Sequence, residues 1–386
     1  MTPGLIADYR PGAFLLASPQ RTLLATGVQQ VVTESDPDEL ATRVTKLLVD
    51  SEVPVAVGAL PFDTAAASHV VLPEAVRWSG PARPPGIRPL ALPSLLETVP
   101  VPPPADHERS VAAAVALLRA GELDKVVLAR SLRLGLAGRL DVAALLANLA
   151  ADNATGYTYA VDLPARDGRR TLVGATPEML LSRTGQTVVA NPFAGSMPRD
   201  PDAGQDRRNG EALVASAKDR AEHRVVIDTV VDALRPFCRT LSVPDGPSLV
   251  GTSAVWHLAT KITGELADPG ISSLRLATAL HPTPAVCGRP RDIAKATIAR
   301  IEPFDRGFYA GAIGWCDADG DGQWVIGIRC AEIAEPAGGP GSTVTLYAGG
   351  GIMPASQPHL ELEETSAKFR TLLRAMGLPS PPLSPP

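Results

Sequence analysis

The stretch Leu346 to Lys368, LYAGGGIMPASQPHLELEETSAK, restricts this chain more than any other. A β-rich run, Thr343 to Tyr347, ends in three glycines; Pro354 and Pro358 follow, and then a helix begins. Spacings of three and four put Glu361, Glu364 and Lys368 on one face of that helix. Leu362, Phe369, Leu373 and Met376 recur on another face, the one expected to be buried. Gly377 and Pro379 stop the helix. A strand end and a helix are thus forced side by side. Backbone N–H groups freed by glycine face an ammonium and two carboxylates, a pattern suited to a small acidic ligand with a divalent cation.

Composition narrows the remaining possibilities. The 386 residues are 45% hydrophobic and 20% charged, enough apolar material for a substantial core. The net charge of -5, with aromatics at 4% and no basic patch, argues against a nucleic-acid partner. No apolar run reaches membrane-spanning length. The N-terminus lacks a basic segment leading into an apolar one, so no membrane partner is expected. Cys238, Cys287, Cys316 and Cys330 are scattered without a C-x-x-C, which reads as reduced thiols in a cytoplasmic protein.

Along the chain, FLLAS, TLLAT and VPVAVGAL have strand character, and DPDELATRVTKLLVD reads as a helix capped by Asp36 or Asp38. From Gly80 to Pro104 proline is dense enough to give an extended connector, neither helix nor central strand. Helices are expected at His107–Ala120 and Asp141–Ala151, and one long helix from Arg208 to Leu234. EMLLSRTGQTVVANP is a hairpin turning at Thr184-Gly185. SAVWHLATKITGEL is a strand region, SSLRLATAL a short helix, and FYAGAIGWC and QWVIGIRCAEI flank DADGDG as a hairpin. Strands and helices mix without strict βαβ alternation, so the fold class is α+β, not a doubly wound sheet. Asp317, Asp319, Asp321 and Gly322 open like an EF-hand loop, but Ile328 stands where the bidentate glutamate is needed.

Nine segments, in order, carry a resemblance to the chorismate-utilising enzymes, a family that includes anthranilate synthase component I, aminodeoxychorismate synthase, salicylate synthase and isochorismate synthase. They are LDKVVLAR, GATPEMLL, FAGS, AKDRAEH, HPTPAVCG, EPFDRGFYAG, IGIRCAEI, AGGGI and ELEETSAK. The resemblance spans about residues 107 to 376 and is closest to the isochorismate synthases. It implies two β-sheets stacked in a sandwich with helices outside and the active site in the central cleft. Residues 105–377 would form the chorismate-binding region. Residues 1–104 would complete the same sandwich and end in the proline-rich connector, and 378–386 would be a disordered tail.

Position by position, the resemblance implies that Lys125 is the general base and Glu178 the general acid. A lysine base needs burial or a cationic neighbour; an acid working near neutrality must hold its proton. Glu222 and Glu364 match two Mg²⁺ ligands, and Asp219 and Glu361 match positions acting through metal-bound water. Mg²⁺ is the implied cofactor. Lys368 would help hold the ring carboxylate of chorismate. Arg329, Tyr309 and the N–H groups near Gly349 and Gly351 would take the enolpyruvyl carboxylate. Gly195 and Ser196 would lie by the ring, His281 would orient, and Met197 stands where the family carries a small or basic residue.

The implied reaction is Mg²⁺-dependent conversion of chorismate to isochorismate, by attack of water at C2 and loss of the C4 hydroxyl. In the lyase members of the family a threonine stands where this chain has Ala285; Ala285-Val286 matches the isomerases. Two other readings remain open: a salicylate synthase-type lyase that releases pyruvate, and an inert chorismate-binding relative, against which Lys125, Glu178, Glu222 and Glu364 count. The expected partner is chorismate alone, with the chain a monomer and its product serving menaquinone, siderophore or salicylate synthesis.

Overall fold

The computed structural model describes residues 4–82, 86–252 and 255–379. The expected tail beyond Pro379, residues 83–85 of the proline-rich connector and the Ser253-Ala254 start of SAVWHL lie outside the described residues. Helices α1 (Pro37–Val49), α2 (Pro104–Arg119), α3 (Val142–Asp152), α4 (Ala203–Ala215), α5 (Ala217–Leu234), α6 (Ser273–Leu280), α7 (Arg291–Ile301) and α8 (Pro358–Met376) surround two large antiparallel sheets and a small one. The fold is α+β. Among the described residues no helix is long and apolar enough to cross a membrane.

The first large sheet has ten strands. From one edge it runs Gly288–Arg289, Lys125–Leu136, Ser342–Ile352, Cys330–Glu335, Arg169–Thr176, Tyr157–Leu163, Phe14–Ala17, Thr22–Thr26 and Ala75–Ser79, and Leu95–Val101 also pairs with Lys125–Leu136. The second has nine strands, with Met179–Thr184, Gly322–Ile326, Ala312–Asp317 and Val55–Leu60 at its centre. Phe14–Ala17 pairs with Tyr157–Leu163, and Val55–Leu60 with Ala312–Asp317, so strands from the first eighty residues are built into both sheets.

Period-two alternation explains the layering. Phe14 and Leu16 enter the core shared with Val57, Ala59, Ile313 and Trp315 of the second sheet. Leu15 and Ala17 enter a second core on the outer face, with Leu145 and Leu149 of α3 and Phe369, Leu372 and Leu373 of α8. A sheet buried on both faces needs apolar residues at every position, hence the continuous FLLA and TLLA runs.

Local signals account for the helix ends. Asp36 accepts N–H bonds from Asp38 and Glu39 and so caps α1. Gly377 at φ 74° closes α8, with its N–H bonded to Arg374 O and that of Leu378 to Leu373 O. Two expectations are corrected. The single helix from Arg208 to Leu234 is two, because Ser216 is extended and its hydroxyl accepts the Asp219 N–H, starting α5 afresh. The strand after Thr343 does not stop at the glycines; it continues through them to Ile352, paired with Lys125–Leu136 throughout. The connector is extended as expected, and part of it, Leu95–Val101, forms an edge strand, where proline's missing N–H costs nothing on the open side.

One ion pair ties these layers together. Arg306 donates to both Glu302 oxygens, at 2.8 and 2.5 Å, to Val286 O at 2.7 Å and to Val127 O at 2.8 Å. Glu302 in turn accepts the Ala129 N–H at 2.7 Å, and the guanidinium lies 4.4 Å over the Phe62 ring. Removing one partner of such a pair strands a buried charge, at a cost of about 3–5 kcal/mol. Arg306→Met is therefore expected to lower urea-unfolding stability by about that amount; a loss below about 1 kcal/mol would mean that the pair is dispensable.

Candidate active site

Where the two large sheets part, the small sheet of Phe193–Pro198, Val255–Ala259 and Ser248–Gly251 and helices α5 and α8 close a cleft that is partly open to solvent, with a cavity volume of about 80 Å³. Its walls include Glu178, Gly195, Ser196, Glu222, Ala285, Val286, Tyr309, Arg329, Gly349, Gly351, Glu364 and Lys368. These residues come from eight separate stretches of the chain, and the sequence reading named all of them.

The glycines build one wall. Cys330–Glu335 pairs with the long strand only as far as Tyr347, so beyond it that edge of Ser342–Ile352 is open. Gly349 and Gly351 lie opposite Ala129 and Val127, whose N–H groups point away, to Glu302 and Cys287 O. In antiparallel pairing the facing glycines then turn their own N–H and C=O groups to the open edge. There Lys368 Nζ donates to Gly349 O at 2.7 Å. A Cβ at Gly349 would press on the Tyr309 hydroxyl at 2.7 Å, and one at Gly351 would run into the Glu222 carboxylate. Only glycine lets these groups approach the strand so closely.

The titratable groups fall into two sets. Around the ring-sized space, Glu178 is 3% exposed and accepts the Phe193 N–H at 3.5 Å. Burial pushes its carboxyl up to about 7, against the opposing pull of that N–H and of Lys125, Lys368 and Arg329. Arg329 sits where the chain passes from the second sheet to the first, with φ at 50°. A non-glycine residue pays about 1–3 kcal/mol for such a conformation, which is found where function demands it. Its Nη2 lies 3.2 Å from His257 Nε2. Burial, then the Arg329 charge, holds His257 well below its ordinary value, so its neutral ring accepts from the guanidinium while also hydrogen-bonding the Gly195 backbone. Burial keeps the Tyr309 phenol protonated, and its ring stacks on Tyr347 at 4.8 Å.

The second set is acidic, and each of three carboxylates holds a lysine. Lys125 Nζ is 2.8 Å from Glu222 Oε1, Lys368 Nζ 2.5 Å from Glu364 Oε1, and Lys218 Nζ 3.3 Å from Glu361 Oε1. Ser196 also donates to Glu364, at 2.9 Å. Burial would raise Glu364, but Lys368 and Ser196 hold it below its ordinary value. Burial and the Glu364 charge push Glu361 up to about 7. Burial also raises Asp219, whose Cβ would lie 3.0 Å from one placed on Gly195. Among the described residues no three such groups already converge on one point as a metal cage. The donor set nonetheless fits Mg²⁺: hard oxygens only, two of them on the cleft wall, and a buried Glu361 Oε2 without a hydrogen-bond partner.

Some expected residues lie off the wall. Lys125, 1% exposed, sits behind Glu222, and Asp219 and Glu361 stand back from the cleft lining. His281 is a correction. It follows the last turn of α6, faces the second sheet, bonds Pro61 O at 2.9 Å and lines a separate small cavity with Glu34 and Ser68. The histidine that does face the cleft is His257, which the sequence reading passed over inside a strand. A polar residue among the otherwise apolar positions of VWHLA was the available signal.

Residues 89–377 match the family described as chorismate binding enzyme. The chain is 48% identical to isochorismate synthase DhbC of Bacillus subtilis over 387 residues, covering 97% of this chain and 96% of that protein. It is 37% identical to isochorismate synthase EntC of Escherichia coli, covering 97% of each. A crystal structure of a candidate 2,3-dihydroxybenzoate-specific isochorismate synthase, DhbC of Bacillus anthracis, superimposes with a TM-score of 0.91 at 43% identity, covering 97% of this chain and 99% of the other. With this match spanning most of its length, the chain belongs to the chorismate-binding enzyme family.

Proposed function

We propose that the protein is an isochorismate synthase that interconverts chorismate and isochorismate. The observation that carries this reading is Glu178, a buried carboxyl holding its proton up to about pH 7 and flanked by Lys125, Lys368 and Arg329. Chorismate carries one carboxylate on a ring from which a hydroxyl must leave and a second on its enolpyruvyl ether. Arg329 and Lys368 offer two cationic anchors, and Glu178 offers the proton for the departing C4 hydroxyl. Lys125 accepts the proton of the water that attacks C2, once it has let go of Glu222 and given up its own ammonium proton to solvent. The neutral His257 keeps the Arg329 fork directed into the cleft, and the N–H groups of Gly349 and Gly351 meet the enolpyruvyl carboxylate. Glu222 and Glu364 would hold Mg²⁺, with Asp219 and Glu361 behind them. The cation supplies charge neutralisation and orientation of the ring carboxylate.

Ala285 and Val286 favour the isomerase over the lyase. Both line the cleft and offer no hydroxyl to position the enolpyruvyl ether for elimination. Incubation with chorismate and Mg²⁺ is expected to give isochorismate without pyruvate. A lactate dehydrogenase couple should consume almost no NADH until an isochorismatase is added; stoichiometric pyruvate with salicylate would establish the lyase instead.

Lys125→Ala and Glu178→Gln should each lower kcat by about 10²–10⁴-fold. The two losses should not multiply, since both residues serve one reaction. Because the acid works only while protonated, kcat/KM should fall as pH rises through about 7. The residual activity of Glu178→Gln should lack that alkaline limb.

EDTA should abolish turnover, and Glu364→Gln should weaken the dependence on Mg²⁺ severely. Full activity in metal-free buffer would exclude a metal role for this cluster.

A further inference from the structure

Of the three lysines on the acidic cluster, Lys218 alone has no part in the chemistry above. It leaves α5 one residue before Asp219 and four before Glu222, and its ammonium crosses to Glu361 on α8. Its side chain is 35% exposed, against 1% for Lys125 and 13% for Lys368, while that of Glu361 is only 3% exposed. Asp219, Glu222, Glu361 and Glu364 all act on its charge. Four carboxyl groups against three ammonium groups leave this cluster at most one negative charge, since burial and the Glu364 charge let Glu361 hold a proton part of the time near pH 7. A dication added with every lysine in place would make the cluster net positive and set like charges side by side. Lys125 and Lys368 are enclosed, but Lys218 has a solvent path and a flexible four-carbon stem.

We propose that Lys218 is a displaceable counter-ion that stands in for the divalent cation beside Glu361, so that cation uptake and withdrawal of Lys218 to solvent are one linked event. This rests on the Mg²⁺ reading given above. In the metal-free protein Lys218 reduces repulsion within a buried carboxylate cluster that would otherwise need to protonate. When the cation arrives, the same ammonium competes with it and weakens its binding. Lys218 is thus a positioning residue that sets the cation affinity of the site without touching substrate.

The test titrates Mg²⁺ alone into chorismate-free protein by calorimetry. Lys218→Met and Lys218→Gln, two neutral replacements of similar length, should each bind Mg²⁺ about tenfold more tightly than wild type, the scale of one charge acting across a partly solvated site. Lys218→Arg, which keeps the charge, should stay within about threefold of wild type. Unchanged or weaker Mg²⁺ affinity in both neutral variants, with unaltered circular dichroism, overturns the proposal. A second measurement needs no variant: Lys218 of the wild-type protein should be acetylated several-fold faster by an amine-reactive ester once Mg²⁺ is added, as followed by mass spectrometry. Slower or unchanged labelling of Lys218 overturns it as well. Wild-type protein that takes up no Mg²⁺ at all removes the metal reading itself, a result distinct from a wild type that binds while its variants fail to bind more tightly.

Discussion

Arg306 meets four parts of the molecule at once: the Glu302 carboxylate at the end of α7, the Val127 carbonyl in the first sheet, the Val286 carbonyl in the loop that floors the cleft, and the Phe62 ring beside the second sheet. A guanidinium has five donors in a fixed plane, so satisfying it dictates where each acceptor must sit. The separation of the two sheets near the cleft and the position of Ala285 are therefore set by one side chain that never touches the ligand space. A hydrophobic contact could hold these layers together, but it could not fix the direction of two carbonyls.

The cleft itself is organised by charge in a dry setting. Burial raises Glu178 and Glu361, so two carboxyls that water would leave charged hold a proton part of the time near pH 7, and it keeps His257 neutral well below that range. Backbone conformation contributes as well. Arg329 and Ala310 are the two non-glycine residues with positive φ among those described; the first lines the cleft and the second follows Tyr309, which lines it. Their strain is sustained by the surrounding strands, through Ala310 N–H to Gly327 O and Ala175 N–H to Arg329 O.

Much of this was legible in the sequence, for identifiable reasons. The α8 stripe and its stop at Gly377 follow from helical periodicity and chain chirality, which are local. The cleft residues were legible because short motifs keep their order even though their contacts are distant. Pairing partners were not. Nothing local in AGGGI says that the long strand Lys125–Leu136 will hold the glycines extended, so the run looked like a strand end. Ser216 was a readable helix start, since its hydroxyl is three residues from the N–H it accepts, but the apolar stripe on either side concealed the break. The exchange of His281 for His257 has the same origin: both sit in apolar surroundings, and only the third dimension decides which one faces the ligand.

The long central pairing has a consequence for how the protein is made. Val126 lies against Ile352, and the register continues to Leu136 against Ser342, so the two strands meet across most of the chain. During synthesis the earlier strand must wait, with an apolar edge unpaired, until nearly everything else has been translated. Contacts of such separation close slowly, and exposed edges invite association in the meantime. Glu364 and Lys368, which line the cleft, arrive on the last helix described, so the cleft is incomplete until α8 has been made. Chaperone protection during translation should matter more for this enzyme than its native stability would suggest.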